Sequence, residues 1–194
     1  MPRLFTGIEI PADIGDRLAL LRGGLPGARW IDRENYHLTL RFVGDVDMDV
    51  ADEIADALAR VGRAGFSLGV EGVGSFGSKK PRAIVARVRP TQVLTELQAE
   101  MERLMQRIGL PPEPRKFIPH VTLARLRGAS ERSVAEYLSL RGGFAARPFE
   151  VDRFVLFSSK NSTGGGPYVA EEIYPLRAAP HRQGGLEHGR ATVR

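Results

Sequence analysis

The chain has 194 residues, of which 42% are hydrophobic, so it can bury a core within one domain or one two-lobed unit. It contains no cysteine, which excludes disulfides, thiolate nucleophiles and cysteine-ligated zinc. The formal net charge is +5, and arginine carries most of the positive charge because only four lysines occur. Arginine binds phosphate through paired hydrogen bonds, so an anionic partner such as RNA and a merely arginine-rich surface are both open interpretations.

No apolar run is long enough to cross a bilayer, so we expect no membrane partner. The first eleven residues lack the apolar centre of a signal peptide because Glu9 interrupts it. With no targeting signal in view, we expect a cytoplasmic protein.

Alternating apolar residues predict strands, and apolar residues at three- and four-residue spacing predict helices. In chain order the patterns predict a strand at Arg3–Ile10, a helix at Ala12–Arg22, a strand at Tyr36–Val43, a helix at Asp47–Val61, strands at Phe66–Phe76 and Arg82–Val88, a helix at Thr91–Ile108, a strand at Phe117–Leu126, a helix at Ser130–Leu140, and strands at Phe149–Ser158 and Tyr168–Leu176. We assign residues 1–177 to a single two-lobed domain. Residues 178–194 are rich in Gly, Arg and His, and we expect a flexible tail there.

A four-residue pattern, His-apolar-Thr-apolar, occurs twice, at residues 37–40 and 120–123. Each copy lies in a predicted strand, where residues two apart point to the same side, so each histidine shares a face with its threonine. The copies are 83 residues apart, which suggests two duplicated lobes facing each other across a cleft. Two imidazoles and two hydroxyls suit acid–base chemistry on a phosphate. The candidate catalytic residues are therefore His37, Thr39, His120 and Thr122.

Other interpretations of these histidines are open. A single histidine in a strand is more often a structural ring with a satisfied hydrogen bond, and only the repetition favours function. A metal site would need three or four converging ligands, whereas the two strands supply two imidazoles, with Asp45 and Asp47 in a loop and a helix start. We therefore expect no metal and no cofactor. His181 and His188 lie in the predicted tail and are not candidates.

A glycine motif at residues 72–77 matches G-x-G-x-x-G, the fingerprint of dinucleotide-binding folds. That fingerprint needs a helix after it, because the helix N-terminus meets the pyrophosphate. Here a lysine-containing turn and a strand follow, so we predict a hairpin. Lys79, Lys80 and Arg82 are interpreted as a solvated loop, with contact to a nucleic acid backbone as the alternative.

Strand alternation predicts opposite faces for Arg41 and Arg125, the arginines that follow the two motifs. Arg41 comes four residues after His37, so regular alternation predicts that it shares the histidine face and contacts phosphate. Arg125 comes five residues after His120 and should face away unless a bulge intervenes. By the same count Tyr36 and Phe42 face away from His37 and are predicted to lie in the core.

These residues resemble the 2H phosphoesterases, and more narrowly the bacterial and archaeal RNA 2′,3′-cyclic phosphodiesterases, also called 2′-5′ RNA ligases. The resemblance spans about residues 3–176. Besides the two motifs with their flanks, it rests on Arg3-Leu4-Phe5, Ile8 to Pro11, Trp30, Pro81-Arg82, Gly166-Pro167-Tyr168 and Tyr174-Pro175-Leu176.

The resemblance implies an α+β fold of two lobes, with pseudo-duplicated antiparallel sheets and outer helices around a central cleft. It implies metal-independent hydrolysis of RNA 2′,3′-cyclic phosphate ends to 2′-phosphomonoesters. Separately from the resemblance, we expect a monomer without a cofactor. In family terms His37 is the proton donor and His120 the proton acceptor. The resemblance also assigns phosphate contact to Arg125, whereas regular strand alternation predicts that Arg125 faces away from the histidine.

The threonine hydroxyls would then donate to the non-bridging oxygens, where charge develops. Three alternatives stay open at this point. They are 2′-5′ RNA ligation, a cyclic-nucleotide phosphodiesterase, and a module that binds RNA ends without turnover.

Overall fold

The computed structural model describes residues 1–77, 79–159 and 166–178. The tail predicted for 178–194 therefore lies outside the described residues from position 179 onward, together with His181 and His188. Residues 160–165 and residue 78 also lie outside them.

The described residues form ten strands and four α-helices. Their bounds are β1 Arg3–Glu9, α1 Ala12–Ala19, β2 Ala28–Trp30, β3 His37–Asp45, α2 Met48–Leu58, β4 Phe66–Leu68, β5 Val70–Phe76, β6 Ala83–Val88, α3 Gln92–Arg107, β7 His120–Leu126, α4 Glu131–Arg141, β8 Phe149–Val151, β9 Arg153–Ser159 and β10 Tyr168–Pro175. Every predicted helix and strand is present. Two predicted strands are each divided in two, at Gly69 and at Asp152, and β2 was not predicted.

The strands build one large antiparallel sheet in the order β10-β9-β1-β3-β7-β6-β5, with β2 added beside β7. The short strands β4 and β8 pair separately. The glycine motif lies in β5 and the turn to β6, and these two strands pair antiparallel, so the predicted hairpin is confirmed.

The chain order of elements repeats. The repeated unit is strand, helix, strand, helix, short strand, strand. Its first copy is β1-α1-β3-α2-β4-β5 and its second is β6-α3-β7-α4-β8-β9, while β2 and β10 are additions. The last strand of each repeat pairs with the first strand of the other, β5 with β6 and β9 with β1. Each lobe is therefore built from both repeats. This is the two-lobed α+β fold that was expected.

The helices cover one face of the sheet. Leu38, Leu40, Val121 and Leu123 are at most 3% exposed and belong to one apolar cluster with the buried side chains of the helices. The stripe predicted for α3 is buried, namely Leu94, Leu97, Met101, Leu104 and Met105. The histidines and threonines of the two motifs lie on the opposite face of the sheet. None of the described helices is long and apolar enough to span a membrane.

Candidate active site

The two motif strands meet at a single backbone pair, Leu38 opposite Val121, in antiparallel register. One step along that register in each direction brings His37 next to Thr122 and Thr39 next to His120. Each histidine thus faces the threonine of the other motif, about a local two-fold axis. All four side chains are partly exposed on the face away from the helices.

Both motif strands contain a bulge at the same place. In β3 the register with β1 shifts between Thr6 and Gly7, which leaves Leu40 as the extra residue. In β7 the register with β6 shifts between Ile84 and Val85, which leaves Leu123 as the extra residue. A bulge reverses the alternation beyond it. The residue five positions after each histidine therefore returns to the histidine face, and the residue four positions after it enters the core.

The prediction that Arg41 shares the face of His37 is wrong, and the bulge at Leu40 is the reason. Arg41 is 6% exposed and forms an ion pair with Glu102 of α3, on the helix side of the sheet. Its Nη2 also donates to the Pro111 carbonyl at 2.6 Å. Arg41 is thus a buried structural cation, and phosphate contact is no longer assigned to it.

The residues that the bulges place on the cleft face are Phe42 and Arg125. Phe42 was predicted to lie in the core, but it is 40% exposed and stacks on Phe5, with ring centroids 5.6 Å apart. Arg125 is exposed, and its charge lowers the pKa of both His37 and His120, so it lies near both rings. Tyr36 is buried as predicted.

Each imidazole is oriented by a backbone carbonyl two residues earlier in the chain. His37 Nδ1 lies 2.8 Å from the Asn35 oxygen, and His120 Nδ1 lies 2.6 Å from the Ile118 oxygen. A carbonyl can only accept, so each Nδ1 carries a proton and donates it. In the neutral ring Nε2 then holds the free lone pair. Both rings therefore present the nitrogen that can take up or release a proton.

The surroundings of the two rings differ. His37 lies among Phe5, Phe157 and Tyr168, with ring centroids 4.8, 5.8 and 4.9 Å away. Among the residues that the structure describes, His120 has one such neighbour, Phe76, whose ring meets it edge-on at 4.7 Å. The first histidine is thus enclosed by an aromatic wall, and the second borders an open pocket.

Asn35 links the aromatic wall to His37. Its carbonyl orients the imidazole, and its side-chain oxygen accepts from the Tyr168 backbone N–H at 3.2 Å. Gly166 approaches so closely that a Cβ there would overlap the Asn35 side chain. Glycine at 166 therefore lets the chain before β10 pack against the Asn35 side chain.

Burial lowers the pKa of His37 to about 4, and the charges of His120 and Arg125 act in the same direction. Burial also lowers the pKa of His120, helped by Arg125 and Arg115. Near neutral pH both rings are therefore neutral, in a cleft lined by guanidinium groups. An anion bound between them would favour their protonation. Arg115, in the connection before β7, was not identified from the sequence.

Within the described ranges, no three His, Asp or Glu side chains converge in a way that could hold a metal ion. The residues that converge here are two imidazoles, two hydroxyls and arginine. This set can bind an anion and can move protons on both sides of it.

The model of the LigT-like phosphoesterase family matches this chain twice, at residues 8–86 and 87–168. The chain belongs to this family. The two matches each contain one His-Thr motif, in agreement with the structural repeat.

Relatives named RNA 2′,3′-cyclic phosphodiesterase are similar to this chain over most of their length. The chain is 33% identical over 192 residues to an RNA 2′,3′-cyclic phosphodiesterase of Thermotoga maritima. The aligned region covers 95% of this chain and 97% of that protein. It is 33% identical to one of Aeropyrum pernix, over 84% of this chain and 96% of that protein. The crystal structure of Escherichia coli LigT complexed with 3′-AMP superposes with a TM-score of 0.75 at 26% identity, covering 91% of this chain and 99% of that one.

The two arginines should respond differently to substitution. We expect Arg41→Gln to lower the free energy of unfolding by about 3 kcal/mol, because it leaves Glu102 without its buried partner. We expect Arg125→Gln to leave stability unchanged and to weaken the binding of inorganic phosphate by about tenfold, by removing a charge-assisted hydrogen bond. Urea unfolding and calorimetric phosphate titration measure the two effects. Loss of phosphate binding in a stably folded Arg41→Gln variant would contradict the assignment.

The lowered pKa of His37 should make stability depend on pH. The folded value is about 4, and the unfolded value is about 6.5. Between these values the unfolded chain binds more protons, so the free energy of unfolding falls as the pH drops through this window and levels off below it. We expect His37→Gln to lose less stability than the wild type between about pH 7 and about pH 4.5, as measured by urea unfolding. Equal losses in both proteins would contradict the burial of a neutral ring.

Proposed function

We propose that this protein hydrolyses RNA 2′,3′-cyclic phosphate ends to 2′-phosphomonoesters. The observation that carries this proposal is the two-fold pair of imidazoles, each with Nε2 free, beside Arg125 at the junction of two lobes. Membership of the LigT-like phosphoesterases and the names of the relatives support the choice of substrate.

The proposed step is an in-line displacement at phosphorus. Neutral His120 takes a proton from water at Nε2 while the water oxygen bonds to phosphorus. The bond from phosphorus to the 3′ oxygen breaks, and protonated His37 gives its Nε2 proton to that oxygen. The phosphate stays on the 2′ oxygen. Because the free rings are neutral near pH 7, the bound phosphate anion must raise the pKa of His37 to make it a donor.

The remaining polar groups stabilise the charge that develops on phosphorus. Thr39 and Thr122 lie beside the opposite motif's histidine and would donate to the non-bridging oxygens. Arg125 adds a positive charge close to both rings. Such preorganised donors act most strongly where charge increases in the transition state.

The aromatic wall gives a reason for a nucleoside substrate. In-line geometry places the ribose on the side of His37, which protonates the leaving oxygen. Phe42 stacks on Phe5 of this wall and is 40% exposed. A base can stack there, because every base offers a flat π-face to an aromatic ring.

Removing either imidazole should leave a folded but inactive protein. We expect His37→Ala and His120→Ala each to lower kcat by about 10²–10⁴, as is typical for a lost general acid or base. Added imidazole should restore part of the activity. Arg132→Gln, on an exposed side chain of α4, is the matched control for surface effects. Full activity in His120→Ala would refute the proposed step.

The identity of the product tests the direction of ring opening. With a dinucleotide that ends in a 2′,3′-cyclic phosphate, we expect phosphorus NMR to show a 2′-phosphomonoester, with the same rate in EDTA. A 3′-phosphomonoester would reverse the assignment of the leaving oxygen. Loss of activity in EDTA that one metal restores would indicate a metal site instead, and binding without turnover would indicate an RNA-end binding module.

A further inference from the structure

The buried ion pair of Arg41 and Glu102 also holds the segment 111–119, which leads into the second motif. Arg41 Nη2 donates to the Pro111 carbonyl at 2.6 Å, and Glu102 Oε1 accepts from the Glu113 backbone N–H at 3.0 Å. Within the described residues, these two hydrogen bonds are the ones that tie the backbone of residues 111–117 to the rest of the fold. A residue of the first motif strand therefore anchors the approach to the second.

The segment depends on such contacts because it has no helix or strand of its own. Four of its nine residues are proline, which lacks the N–H that could join a hydrogen bond. Its far end is held separately, since the Val88 N–H donates to the Pro119 carbonyl at 3.1 Å. Loss of the Arg41 anchor would thus release the first part of the segment and leave the Ile118 carbonyl beside His120.

Glu113 connects this anchor to Arg115. Its two carboxylate oxygens accept from Nε and Nη2 of Arg115, at 2.8 and 3.3 Å. The guanidinium in turn lies near His120, because burial, Arg125 and Arg115 together lower the pKa of that ring. Contacts in series therefore lead from β3 through α3 and the segment 111–119 to the second imidazole.

Other charged groups around His120 are held by regular structure. Arg125 is on the same strand, Arg87 is directly opposite on β6, and His37 faces it from β3. Arg89 and Glu71, which line the pocket beside His120, form an ion pair with each other. Among these described groups, Arg115 is the one whose position depends on an irregular segment and its anchor.

We propose that Arg41 is a positioning residue for the second histidine: with Glu102 it holds the segment 111–119 so that the Arg115 guanidinium stays beside the His120 ring. The inference rests on the proposed function, because His120 is the proton acceptor of that reaction. An acceptor must be neutral, and a fixed cation nearby disfavours the protonated ring. The second motif has Ala124 at the position equivalent to Arg41, so this link runs only from the first motif to the second.

The experiment replaces both partners, Arg41→Met together with Glu102→Leu. No charge is then buried without a partner, so the protein should stay folded. The first part of the segment loses its anchor and Arg115 moves away, so NMR titration of the imidazole should show a raised His120 pKa. On a dinucleotide ending in a 2′,3′-cyclic phosphate, kcat/KM should fall by about threefold near pH 5.5 and change by less than about twofold near pH 8, where the ring is neutral in both proteins.

The chain offers a matched control on the same helix. Arg63, in the connection before β4, pairs with Glu96 and Glu100 of α3. That connection leads to neither histidine. Arg63→Met together with Glu100→Leu should therefore leave the His120 pKa and both rates unchanged.

Two further variants test the route. Arg115→Gln should raise the His120 pKa, and adding it to the Arg41→Met, Glu102→Leu protein should raise it no further, because both changes remove the same charge from the ring. Arg41→Lys keeps a charge beside Glu102 but lacks the guanidinium fork that also reaches Pro111. It should shift the pKa in the same direction by less, and it tests the anchor even if the double variant does not fold.

An unchanged His120 pKa in the folded Arg41 variants would overturn the inference. So would an equal shift in the Arg63 control, or shifts that add when Arg115→Gln is combined with the double variant. The NMR titration needs no substrate. If the wild type cleaves no cyclic phosphate, the proposed function fails, and the titration still decides whether Arg41 positions Arg115.

Discussion

Strands β3 and β7 touch through one backbone pair, Leu38 with Val121, and the cleft is built around that contact. Both side chains are fully buried on the helix side, so the strands cannot slide past each other without exposing them. A shift by one residue would turn each motif over. The apolar residues of the motifs thus determine where the polar residues lie, because burial fixes the register and the register pairs each histidine with the opposite threonine.

The sequence could predict the motif faces only as far as the bulges. Alternation is regular through the threonine of each copy, and there the predicted faces and the structure agree. The bulged residues Leu40 and Leu123 look like any buried strand residue, so no local pattern indicates them. Strand alternation therefore assigned Arg41 to the wrong face, and only the resemblance to the 2H phosphoesterases pointed to Arg125. The bulges are an effect of how neighbouring strands pair, which depends on residues far away in the sequence.

Other features follow the same division between local and distant causes. Helix α3 was predictable because its buried residues recur at helical spacing along its length. Strand β2 has three residues, too few to show alternation, and forms by pairing with β7. Arg87 and Arg115 reach the neighbourhood of His120 through a strand pairing and through a connecting segment. No spacing in the sequence joins them to the motif.

The repeat builds a nearly symmetric frame, and the residues placed on it are not symmetric. Opposite His37 the neighbouring strand carries Glu9, whereas opposite His120 it carries Arg87. Five residues after each histidine, one copy has Phe42 and the other an arginine. An in-line displacement has an entering side and a leaving side, and it needs a proton acceptor on one and a proton donor on the other. In the proposed reaction the two-fold frame would set the two imidazoles on opposite sides of one phosphate, and the unequal residues around them would give each side its own role.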